Sequence, residues 1–165
     1  MVKKKICMVG AFAVGKTSLV QRFVNSIFDD KYLTTVGVKI DKKSLDVDGE
    51  TVDLLLWDIQ GEDDLNKMRT SYLRGAAGYF FVVDGTRAVT LETALQIKAL
   101  AEETQPGVPS MLLLNKSDLV EEWEIGDEAI GEAEAAGMET LRTSAKDGSG
   151  VEEAFLSLAR KMLTR

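Results

Sequence analysis

Residues 10–17 read Gly-Ala-Phe-Ala-Val-Gly-Lys-Thr and satisfy the pattern G-x-x-x-x-G-K-[ST]. Each fixed position has a chemical reason. Gly10 and Gly15 allow a tight loop whose backbone N–H groups converge on phosphate oxygens, with Ala13 and Val14 between them. A helix that starts there adds the positive end of its dipole, and Ser18 continues the same first turn. Lys16 places a point charge between β- and γ-phosphates, and the Thr17 hydroxyl is a magnesium ligand. The pattern follows an apolar run and opens a helical one, which is the context such a loop requires.

Asn115-Lys116-Ser117-Asp118 follows another apolar run, so it falls at a strand carboxyl end, where open α/β sheets bind ligands. A carboxylate accepts two parallel hydrogen bonds from the N1–H and exocyclic amine of guanine. Adenine has no donor at N1 and no amine at C2, so Asp118 is a purine discriminator. The stem of Lys116 is able to cover a ring face. Thr143-Ser144-Ala145-Lys146, after the last apolar run, is placed to offer a backbone N–H to guanine O6.

These residues need elements to position them. Ile6–Val9, Leu54–Trp57, Tyr79–Val83, Met111–Leu114 and the weaker Met138–Thr143 are short apolar runs, the pattern of strands buried on both faces of a parallel sheet. Val20, Phe23, Val24 and Ile27 form one helical stripe, and Val151, Ala154, Phe155, Leu158 and Met162 form another. Strand alternating with helix builds a doubly wound α/β domain. Asp48-Gly49 marks a hairpin that pairs residues 38–47 antiparallel with 51–57 at one sheet edge. The apolar parity of that first strand switches between Ile40 and Leu45, which predicts a bulge. Lys39, Lys42 and Lys43 in the same strand read as edge protection, with an acidic partner surface as the sharper alternative.

Composition narrows the function. A chain of 165 residues fits one domain over 1–165, and 45% apolar residues suffice for its core. The net charge of −7 disfavours nucleic acid, whose binding rests on neutralised phosphates. The absence of histidine excludes a Ser-His-Asp triad and His-ligated zinc, and the lone Cys7 excludes a disulfide scaffold. No signal peptide, membrane span or lipidation motif is read, so a monomeric, cytoplasmic chain without a stable membrane anchor is expected.

Taken together, residues 10–17, Thr35-Val36-Gly37, Trp57-Asp58-Ile59-Gln60-Gly61, residues 115–118 and residues 143–146 stand in the order and spacing of the Ras superfamily of small GTPases. The chain is most similar to Rab- and Rho-like members. The resemblance implies a P-loop NTPase three-layer sandwich: a mostly parallel six-stranded sheet, one antiparallel edge strand, helices on both faces. It implies GTP and GDP as ligands, Mg2+ as cofactor, hydrolysis of GTP, and protein effectors and regulators engaged through switch I and switch II. Thr35 resembles the switch I threonine that ligates magnesium, and Asp58 the aspartate that holds it through water. The Gly61 N–H would contact the γ-phosphate, and Phe28 resembles the aromatic beside the base.

The chain departs from the family pattern at three positions. Glu62 stands where glutamine orients the attacking water; a carboxylate accepts from water but donates nothing to the developing charge. Gln60 sits close by, where the family usually has alanine. Phe12 occupies a loop position that is usually small, and its bulk either stands in solvent or obstructs a partner's arginine. A GTP-binding module with negligible hydrolysis is therefore the alternative function. An ATP-dependent phosphotransferase on the same loop is disfavoured by Asp118 and Ala145.

Overall fold

The continuously apolar runs become strands covered on both faces. A computed structural model describes residues 2–24, 32–33, 38–59 and 70–164. In chain order the elements are β1 (Val2–Gly10), α1 (Lys16–Val24), β2 (Tyr32–Leu33), β3 (Val38–Val47), β4 (Glu50–Ile59), β5 (Gly78–Asp84), α2 (Val89–Thr104), β6 (Ser110–Asn115), α3 (Asp127–Ala135), β7 (Thr140–Arg142) and α4 (Val151–Leu163). Every residue of β5 is buried, as a central parallel strand requires.

The sheet runs in the order β2-β3-β4-β1-β5-β6-β7. Strands β4, β1, β5, β6 and β7 are mutually parallel, and β3 is antiparallel to β4. Six of these strands are those the sequence predicts; the two-residue β2 adds a short seventh, antiparallel to β3, at the outer edge. The weak run at 138–143 condenses to a three-residue strand. Helix α1 ends at Val24, and Ile27 lies outside the described residues.

Alternate residues of one strand feed two cores. Ile6 and Met8 face α1 and α4, where Leu19, Phe23, Phe155 and Leu158 close the layer. Cys7 and Val9 face α2 and α3, where Ala94, Ile97 and Ala133 do so. Phe155 ties α4 to α1 by stacking on Phe23 at 3.8 Å and meeting Phe80 edge-on at 4.8 Å.

The hairpin forms as expected: Asp48 and Gly49 take φ of 51° and 88°, which a two-residue turn of this hand demands. The expected bulge is absent. Pairing runs unbroken from Val38↔Ile59 to Val47↔Glu50. The parity switch has another cause: Val38 and Ile40 pack in the α2–α3 core, whereas Leu45 and Val47 pack in the α1–α4 core. One regular strand thus serves two layers. Two of its lysines have internal partners: Lys42 pairs with Asp53 at 3.5 Å, and Lys43 Nζ donates to Phe23 O at 2.5 Å.

Parallel pairing has one consequence for function. The carboxyl ends of β4, β1, β5 and β6 share a sheet edge, which carries Asp58, Gly10, Asp84 and Asn115. The chain leaves β1 toward one side of the sheet and returns to its other side as β5, so that edge lies at a topological switch point.

Candidate nucleotide site

The loop between β1 and α1 has its carbonyls held one by one. Lys16 Nζ donates to Ala11 O at 3.0 Å. Arg87 Nη1 donates to Phe12 O at 3.0 Å, Lys116 Nζ to Ala13 O at 3.3 Å, and Asn115 Nδ2 to Val14 O at 2.9 Å. Gly15 O accepts the Leu19 N–H at 2.9 Å, as the first bond of α1. A trans peptide points its C=O and N–H in opposite directions. Holding the carbonyls of Phe12, Ala13 and Val14 therefore turns the N–H groups of Ala13, Val14 and Gly15 away from the gripping side chains.

Local conformation supports the same arrangement. Ala13 lies in the left-handed region at φ 62°, a place that makes successive N–H groups line a concavity. Gly15 has φ 102°, and a Cβ there would sit 2.3 Å from Asn115 Nδ2, which is already committed to Val14. Glycine is thus required for conformation and for space. A cavity of about 410 Å³ opens over the loop, bordered by Ala13, Lys16, Thr17, Ser18, Asp58 and Lys116. Phe12 also borders it and is 60% exposed. Buried Asp58, at the end of β4, accepts the Thr17 hydroxyl at 2.5 Å, so two hard oxygen donors meet beside Lys16.

The two loops expected to read a base are stitched together. The Ser144 hydroxyl donates to Asp118 Oδ1 at 2.8 Å and accepts the Asp147 N–H at 3.2 Å. Thr143 Oγ1 donates to Asn115 Oδ1 at 3.1 Å, and the Ser117 N–H donates to Thr143 O at 3.0 Å. Ala145 is half-buried and Lys146 exposed. Lys116 takes a left-handed φ of 69°, an unusual cost for a non-glycine residue, which its two hydrogen bonds offset. Phe28, Thr35, Gly61, Glu62 and Gln60 lie outside the described residues.

Sequence reasoning missed Asp84. This fully buried carboxylate accepts Lys116 Nζ at 2.8 Å, the Thr86 N–H at 2.9 Å and the Thr86 hydroxyl at 2.6 Å, with Arg87 Nη1 at 3.7 Å. Burial alone would raise its pKa. The hydrogen bonds from Lys116 and Thr86 outweigh burial and hold the carboxyl below its ordinary range. The signal was present: an acid closes the otherwise apolar run Tyr79–Val83, at a strand carboxyl end.

A model of the Ras family matches residues 5–164. The chain belongs to the Ras family. The dog (Canis lupus familiaris) Ras-related protein Rab-13 is 35% identical over 163 residues, spanning 98% of this chain and 80% of that protein. Ras-related protein YPT3 of Nicotiana plumbaginifolia is 37% identical over 153 residues, 92% and 70% of the two chains. GTP-binding protein yptV2 of Volvox carteri is 34% identical over 164 residues, 98% and 76%. This Ras-family chain is thus Rab-like, a GTPase that binds guanine nucleotide and works as a switch toward effectors. Among the described residues, no helix is long and apolar enough to cross a membrane.

Asp84 makes the stability of the chain acid-sensitive. A carboxyl whose pKa is depressed by folding stabilises the native state above its unfolded pKa, and loses that contribution as pH falls through the folded one. Asp84→Asn should be about 1–3 kcal/mol less stable than the parent at pH 7. The gap should close as pH drops below the ordinary carboxylate range, measured by urea unfolding of nucleotide-free protein. A gap independent of pH would contradict this assignment.

Proposed function

We propose that this Ras-family domain, residues 1–165, binds GTP and GDP with Mg2+ and cleaves the γ-phosphate slowly, altering partner affinity through switch I and switch II. One observation carries the reading. Asn115 bridges the two halves of the site, donating to Val14 of the phosphate loop and accepting from Thr143 beside the Ser144–Asp118 pair. Base selection and phosphate grip thus belong to one hydrogen-bonded unit.

In this reading Gly10 and the N–H groups from Ala13 to Ser18 cradle the phosphates, and Lys16 lies across the β- and γ-oxygens. Asp118 accepts from the guanine edge while Ser144 holds its orientation, and Lys116 covers a ring face. The Ala145 N–H meets O6, with Lys146 beside it. Phe28 packs by the base, outside the described residues. The fit to magnesium is tested by the Thr17–Asp58 contact, which brings hydroxyl and carboxylate oxygens to one point. Mg2+ prefers few protein ligands and keeps several waters or phosphate oxygens, so this sparse donor set suits it. Thr17 and Asp58 would hold the ion, with Thr35 from switch I, and the ion would neutralise phosphate charge. The Gly61 N–H would contact the γ-phosphate, and Glu62 would face the attacking water.

A second reading keeps nucleotide binding and loses turnover, because Glu62 replaces glutamine. A carboxylate near an anionic centre repels developing charge even while it accepts from water. Single-turnover phosphate release separates the readings. Glu62→Gln should change the rate by tenfold or more, roughly the loss of one hydrogen bond to charge. Equal rates would remove Glu62 from the chemistry.

Base selection has its own test. Inosine diphosphate lacks the exocyclic amine and should bind at least about tenfold more weakly than GDP, the size of one net hydrogen bond. Asp118→Ala should bind both weakly and equally. A variant that still prefers GDP by the parent's margin would show that Asp118 does not read the base.

A further inference from the structure

Four consecutive carbonyls, Ala11 to Val14, are each held by one side chain. Lys16, Lys116 and Asn115 belong to motifs legible in the sequence. Arg87, which holds Phe12 O at 3.0 Å, belongs to none. It lies in the turn between β5 and α2, three residues beyond Asp84. That carboxylate also takes Lys116 at 2.8 Å, so one buried anion anchors both cations that reach the exposed crown of the loop.

We propose that Arg87 is a positioning residue for the phosphates of the bound nucleotide, acting through the Phe12–Ala13 peptide; this rests on the nucleotide-binding reading above. The argument is geometric. Phe12 C=O and Ala13 N–H share one rigid plane, so fixing the carbonyl toward Arg87 fixes that N–H on the opposite face. Ala13 is held in the left-handed region, where a residue with a Cβ is not at its own minimum. The two cations, on Phe12 O and on Ala13 O, clamp the peptides on both sides of that residue. Asp84 keeps the side chain from swinging into solvent, since Arg87 is 39% exposed yet bridges carboxylate and carbonyl. Both contacts come from Nη1, so a lysine there would keep a charge and a donor but lose the planar guanidinium that fixes the donor's direction.

The test compares GDP with guanosine, which carries the base and no phosphate. Binding of each to the full chain is measured for the parent, Arg87→Ala and Arg87→Lys, alongside urea unfolding without nucleotide. Arg87→Ala should weaken GDP binding about tenfold, or about 1.4 kcal/mol, leave guanosine affinity unchanged and lower the unfolding midpoint only slightly, as loss of one partly exposed hydrogen bond does. Arg87→Lys should recover part of that loss. Unchanged GDP affinity in Arg87→Ala overturns the proposal, and so does equal loss of GDP and guanosine, which would mean general loosening. If Arg87→Ala fails to fold, Arg87→Lys decides alone: weaker GDP with unaltered guanosine supports the role, and parental affinity for both overturns it. A parent that binds neither ligand overturns the nucleotide reading itself, an outcome distinct from a parent that binds and a variant that does not differ.

Discussion

A loop that binds an anion through its backbone must first dispose of its carbonyls. Each peptide carries a donor and an acceptor pointing opposite ways. If the N–H groups are to converge on phosphate, the oxygens need partners elsewhere. Here those partners are Arg87, Lys116 and Asn115, drawn from the ends of β5 and β6. The parallel sheet brings both ends to the phosphate loop, because β5 pairs with β1 and β6 with β5, all in the same direction. Fold and site are thus linked by the accounting of backbone hydrogen bonds.

The same partners join the two halves of the site. Asn115 spends its amide donor on Val14 and its amide acceptor on Thr143. Lys116 spends its ammonium on Ala13 and on Asp84. The segment that carries the base-reading carboxylate is therefore the segment that shapes the phosphate loop. The two halves are thus held in fixed relation by single hydrogen bonds, while each keeps its own contacts to a ligand. Asp84 does not itself line the cavity, but its charge holds Lys116 and Arg87 where they grip the loop.

Much of this was legible because the chemistry fixes residue types. Only glycine serves at Gly15, where conformation and space agree, so the spacing to Lys16 and Thr17 survives as a pattern. Asp48-Gly49 was legible for a similar reason, since both residues need positive φ. Other features left weaker traces. Helix α3 reads Asp-Glu-Ala-Ile-Gly-Glu-Ala-Glu-Ala, and its buried side is alanine, so no apolar stripe marks it. Helix α2 buries Leu91, Ala94, Ile97 and Ala101 and also exposes Leu95, which blurs its face. Strand β3 misled because its apolar residues serve opposite layers in turn. Arg87 left no trace at all: an arginine in a turn is ordinary, and its role exists only once β5 lies against β1.

The most direct measurement of the central claim is backbone amide exchange, followed residue by residue on addition of GDP and, separately, of guanosine. The account predicts that GDP protects the amides of Ala13 through Thr17 as well as Ala145, whereas guanosine protects Ala145 and leaves the phosphate loop unchanged. Protection at neither segment with GDP, or identical protection of the loop by both ligands, would contradict it.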